Sequence, residues 1–178
     1  PKALIYGPNA IGGVVNTTSF GNPKIRFNKF YTKFILGSES FNSSKYRNIM
    51  FYIPSKKNQL NLFYSSKETG NETSPIGILD NTKSEMVNYK IGFTHYFRIG
   101  YLNFIRERLN MNYGIPPTEM GHIDGVDILL LKDSFQINYH QDISFLSFEQ
   151  FDFKYNFHDY VHLELVNEEI DYNIFDLI

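Results

Sequence analysis

Between residues 87 and 97 the chain alternates with period two: Val87, Tyr89, Ile91, Phe93 and His95 or Phe97 fall on one side, Asn88, Lys90, Gly92 and Thr94 on the other. Successive side chains of a strand point to opposite faces, so this pattern predicts a strand with one apolar and one polar face. The same pattern recurs strictly at residues 150–158, where Phe151, Phe153, Tyr155 and Phe157 oppose Gln150, Asp152, Lys154, Asn156 and His158. Residues 131–140 repeat it, with Leu131, Phe135, Ile137 and Tyr139 opposite Lys132, Ser134, Gln136, Asn138 and His140, and Asp133 breaks the apolar side. Weaker alternation predicts strands at 24–36, at 46–53 ending at Pro54, at 60–65, at 101–109 and from 172 onward.

The connections differ in length. Residues 55–58, 98–100 and 141–147 are short links, whereas 67–84 and 110–127 are long polar loops; the first holds Gly70, Pro75 and Gly77, the second Gly114, Pro116, Pro117, Gly121 and Gly125. Another hairpin is expected around 166–169. Strands joined by hairpins predict an all-β antiparallel meander. Alternation alone fits a soluble sandwich as well as a transmembrane barrel, because either can have one apolar and one polar face. Short turns on one edge and long loops on the other match the two sides of an outer-membrane barrel, and faces of Lys, Gln, Asn and His would suit its wet interior.

Composition narrows the choice. Of 178 residues, 42% are hydrophobic and 20% charged, an ordinary balance for a folded chain, but 17% are aromatic, all Phe and Tyr, which favours strands and membrane interfaces. A net charge of -2, with lysines scattered among acids, offers no basic stripe for nucleic acid. There is no cysteine, so disulfides, thiolate metal sites and cysteine nucleophiles are excluded. No apolar run reaches the roughly 18 residues of a spanning helix; the run 126–131 is broken by Asp127. The chain begins at Pro1 without Met and ends within an expected strand, and it reads as a fragment of a longer protein.

The opening stretch differs from all this. Gly7, Gly12 and Gly13 lie ahead of Val14 and Val15, but no Lys-Ser/Thr follows to neutralise a phosphate, so a nucleotide loop is excluded and a tight turn into a buried strand remains. The stretch LIYGPNAIGGVVN at residues 4–16 resembles the closing segment of the plug domain of TonB-dependent outer-membrane receptors. The resemblance implies that residues 1–22 end a plug and that residues 23–178 are the first strands of a large, here incomplete, transmembrane β-barrel, an open sheet within this fragment. It recurs downstream. Asn112 to Pro116, Gly121 with His122, Asp133 to Phe135, and Asp159 to Leu165 are similar to segments of a branch of these receptors associated with zinc uptake.

The resemblance implies an outer-membrane protein of bacteria that binds a scarce substrate, zinc or a metal complex, at its extracellular loops. Import would use energy from a TonB-type coupling protein that engages a region upstream of Pro1. The lipid bilayer would be the other partner, and zinc would be cargo, with no resident cofactor. His162 and Glu164, at i and i+2 of a strand, share one face and form the first candidate metal pair; His122, with Glu119 or Asp124 near it, is the second. The loop after Pro116 is rich in histidine in many members of that branch and here keeps only His122. His140 and His158 fall on polar strand faces and read as hydrogen-bonding residues of the interior. Neither Gly-x-Ser-x-Gly nor Ser-x-x-Lys occurs, and carboxylates this frequent supply pairs by chance, so no enzyme is expected. The alternatives are a passive porin or adhesin-like barrel without a plug and, beyond these, an outer-membrane enzyme.

Overall fold

The computed structural model describes residue 21 and residues 23–118, 123–145, 148–166 and 169–177. The described residues are all-β, with no helix among them. The strands are β1 (Tyr31–Glu39), β2 (Ser44–Pro54), β3 (Asn58–Thr69), β4 (Glu72–Ser74), β5 (Gly77–Leu79), β6 (Ser84–Phe97), β7 (Gly100–Ile115), β8 (Val126–Phe145), β9 (Phe148–Val166) and β10 (Glu169–Leu177). Eight of them form one sheet in the order β1-β2-β3-β6-β7-β8-β9-β10, while β4 and β5 form a separate hairpin. Every pairing is antiparallel. β1 and β10 are the two edges, so the sheet is open, as the resemblance implied for this fragment.

The connections at one edge are residues 55–57, 98–99 and 146–147; at the other edge two of them, 70–83 and 116–125, are long. The sequence located these connections but made those at 110–127 and 141–147 too long, and so drew the strands beside them too short. β7, β8 and β9 run for 16, 20 and 19 residues, well beyond the roughly 9–11 that a tilted strand needs to cross a hydrocarbon core. Residues 110–115, expected in a loop, continue β7 because they pair with 126–131 of β8. The loop after β3 is not structureless either. Its β4–β5 hairpin is closed by the Thr82 hydroxyl, which accepts from the Glu72 amide and donates to the Leu79 carbonyl.

The first strand is shifted in the other direction. It begins at Tyr31, not at 24, because the segment before it makes its bonds with side chains of the sheet. The Gln59 amide nitrogen donates to the Ile25 carbonyl at 2.9 Å and its oxygen accepts from the Phe27 amide at 2.8 Å, so one side chain does for this segment what a neighbouring strand would do. Phe27 then stacks on Tyr31 and Tyr52 with ring centroids 4.9 and 4.4 Å apart.

Strand register sorts the side chains into rows across the sheet. Ile53, Leu60, Phe93, Phe104, Ile137 and Tyr155 stand opposite one another on one face. One step further along that face come Phe51, Leu62, Ile91, Arg106, Phe135 and Phe157, and then Ile49, Tyr64, Tyr89, Arg108, Asp133 and Asp159. The other face carries Pro54, Gln59, Thr94, Asn103, Asn138 and Lys154 in one row and Tyr52, Asn61, Gly92, Ile105, Gln136 and Asn156 in the next. Burial runs opposite to the rule for water-soluble sheets. Ile91 is 48% and Phe153 49% exposed, while Gln59, Asn61, Thr94 and Asn103 are fully buried. Among the described residues the buried apolar side chains are Val126 and Ile128, with Pro23 of the segment before β1.

Candidate functional site

The polar face is the part of the sheet where chemistry is concentrated, and residue 21 and residues 23–27 lie across it at the short-turn end. The Tyr96 hydroxyl donates to the Pro23 carbonyl at 2.9 Å, the Arg26 guanidinium sits 4.5 Å above the Tyr96 ring, and Arg26 donates to the Lys56 carbonyl at 2.7 Å. The segment packs closely on the sheet at Gly92, where a Cβ would make ordinary contacts, 3.6 Å from Asn61 and 3.7 Å from the Gly21 Cα. Gly21 has φ +87°, a conformation that side chains disfavour. The proposed plug segment itself, residues 4–16, lies outside the described residues.

Beside this segment the polar side chains bond across neighbouring strands. Asn103 on β7 donates to the Thr94 hydroxyl at 2.9 Å and accepts from Asn138 of β8 at 2.8 Å. Nearer the loops, Lys90 pairs with Glu107 at 3.0 Å, and Asn88 donates to the same carboxylate at 2.9 Å. His158 bonds Ser134 at 2.9 Å. His140 lies between Asp152 at 2.8 Å and Asp142 at 3.3 Å, stacked on Tyr101. His140 and His158 therefore occupy the hydrogen-bonding positions on the polar face that alternation assigned to them. Asn61 is different, because both of its side-chain polar atoms are buried with no hydrogen bond among the described residues.

His162 and Glu164 lie on the same polar face near the long loops. Register puts His162 opposite Leu130 and Glu164 opposite Ile128, which confirms the shared face expected from their i, i+2 spacing. The His162 Nδ1 is 3.3 Å from the Tyr160 hydroxyl, and its Nε2 is buried without a partner among the described residues. No group of three or more His, Cys, Asp or Glu side chains able to hold a metal occurs among the described residues. The structure places the pair on one face, two residues apart on β9. His122 and Glu119 lie outside the described residues; Asp124 is exposed in the turn before β8.

Two features escaped the sequence reading. Asn81, with φ +53°, donates to the carbonyls of Ile115 and Val126, both at 3.1 Å, and so ties the loop after β3 to the root of the loop after β7. Its lone Asn-Thr context in a polar stretch gives no hint of this. The other is that the polar face turns apolar toward the loops, where Met86, Met111 and Leu130 stand in the same row as His162. That change is readable in hindsight from the Met and Leu positions of β6, β7 and β8. No protein-family model and no curated protein matches the chain.

Proposed function

We propose that this chain forms part of the wall of a transmembrane β-barrel, with residues before β1 ending a plug, in an outer-membrane receptor that imports a scarce substrate by TonB-type energy coupling. The observation that carries the reading is the inversion of the sheet: rows of Ile, Leu, Phe and Tyr exposed on one face, and a buried, cross-bonded set of Asn, Gln and Thr on the other. In water the apolar rows would have no solvent to favour them, whereas a bilayer outside and a polar interior suit both faces. On β6 the apolar rows run from His95, bonded to Asn58 at 2.7 Å, to Val87, about the 9–11 residues of a spanning strand. Open edges cannot face hydrocarbon, so β1 and β10 would each pair with further strands. The docking of residues 23–27 on the polar face favours a plugged receptor over an empty porin.

The resemblance to the zinc-uptake branch makes a metal ion or metal complex the substrate, met near the long loops by His162 and Glu164. Two ligands on one face make a capture point on the path of the cargo, with the remaining coordination supplied by a carrier molecule, water or another segment. The test is uptake and binding by the intact natural protein. Cells carrying it should accumulate zinc or a zinc complex in a coupling-dependent manner, and a His162→Ala, Glu164→Ala double variant should bind it at least roughly tenfold more weakly, as the loss of two donors implies. Zinc binding absent from the wild type or unchanged in the double variant would remove the ligand assignment. A protein that fractionates away from membranes would remove the barrel as well.

A further inference from the structure

We infer that the apolar face carries a binding site for one phosphate-bearing lipid of the leaflet on the long-loop side; this rests on the membrane reading above. A groove of about 580 Å³ crosses β2, β3, β6 and β7 on that face, its apolar wall made by Ile49, Phe51, Leu62, Tyr64, Tyr89 and Ile91. It has the size and lining of a pocket for an elongated apolar group. Arg106 and Arg108 close its β7 side, in the two rows where the apolar band gives way toward the loops.

The two arginines are not equally satisfied. Asp133 holds Arg108 through three hydrogen bonds, at 3.1, 3.1 and 2.6 Å. Arg106 reaches the same carboxylate only at 3.9 Å, and its side chain is 67% exposed. Among the other acids on this face, Asp159 stands opposite Asp133 on β9, one strand further from the groove, and Glu68, Glu85 and Asp127 lie two or more rows nearer the loops than Arg108. Beside the groove there is thus a guanidinium without a close partner, aimed at a surface where unpaired charge is unfavourable. A phosphate matches its fork in charge and geometry, and the acyl chain of the same molecule fills the groove. Free phosphate offers only the first of these contacts, and a neutral lipid only the second.

The intact natural protein, purified in detergent, would be reconstituted with dioleoyl-phosphatidylglycerol or with a neutral galactolipid of the same chains, and retained lipid counted by native mass spectrometry. Wild type should keep the phosphate lipid in preference to the neutral one, and excess inorganic phosphate should not displace it. Arg106→Gln should lower that retention about tenfold, the loss of one charge-assisted bond, with neutral lipid unaffected. Arg106→Lys should restore part of it. Equal retention of both lipids by the wild type, displacement by inorganic phosphate, or a preference untouched by Arg106→Gln would overturn the site while leaving the barrel standing. Failure of the wild type to float with lipid vesicles would overturn the barrel and the site together.

Discussion

Near the short turns the fully buried side chains of the sheet are polar, whereas near the long loops buried apolar side chains join the buried serines Ser44, Ser65 and Ser66. Near the turns, Gln59, Asn61, Thr94 and Asn103 are covered, while Ile91, Phe93, Phe153 and Phe157 are exposed. Near the loops the same face of the sheet holds Val126 at 5% and Ile128 at 1% exposure, and Met86, Met111 and Leu130 lie in the next row. Asn81 fastens the neighbouring loop over this apolar patch. The change-over on the outer face is marked by Arg106, Arg108, Asp133 and Asp159. On the membrane reading proposed above, the long strands β7, β8 and β9 would be a membrane wall prolonged into a water-facing rim.

The largest effect that tests this contrast is in the rim. Ile128 is the most deeply buried apolar side chain among the described residues, and Ile128→Ala should cost about 2–5 kcal/mol, as large-to-small changes in packed cores do. Urea unfolding of the protein in lipid vesicles would read the loss, and hydrogen exchange should show the first opening at the root of the loops, around Ile115 and Val126. A cost below about 0.5 kcal/mol, the range of ordinary surface changes, would mean that the rim has no core of its own.

The band near the turns is expected to respond to charge instead. Phe93 is 42% exposed, and on a water-facing sheet Phe93→Arg would be close to neutral. Facing lipid, the same change should cost about 2–4 kcal/mol if the position lies near the bilayer midplane. Leu131→Arg, three rows nearer the loops and beyond the Arg108–Asp133 row, should cost less when measured in the same vesicles. Equal, small effects at both positions would place the whole sheet in water and end the contrast.

Much of this was legible in the sequence because a period of two leaves little freedom. Once Phe151, Phe153, Tyr155 and Phe157 alternate with polar residues, register carries their assignment to β8 and from there to every other strand. Pro54 and the Arg98-Ile99-Gly100 connection similarly place two of the turns near where they are found. Strand ends were less legible. Nothing local distinguishes 110–115 from a loop until β8 supplies partners, and nothing in 24–30 distinguishes a strand from a segment whose backbone bonds are met by the Gln59 side chain. For the candidate site, spacing put His162 and Glu164 on one face, but the unpartnered Nε2 of His162 depends on Tyr160 and Leu130, which are set by packing and register. Asp133 looked like an error in an apolar face and proved to be a paired one, because the arginine that answers it lies on a different strand.

The smallest expected effect concerns the polar face near the turns, where burial without cross-strand bonds would be unfavourable. Asn103→Leu removes an acceptor from Asn138 and a donor from Thr94, both of which are buried, so it should cost about 1–3 kcal/mol. Asn138→Leu strands Asn103 in the same way. Changing both removes donor and acceptor together, and the double variant should be less destabilised than the sum of the singles by about 0.5–3 kcal/mol, the range for residues in one network. Strict additivity would mean that water already satisfies these groups, as it would if this face opened onto solvent. A positive coupling in lipid vesicles, together with a charge penalty at Phe93 that fades at Leu131, is the pair of results expected if the apolar side faces lipid and the polar side is closed.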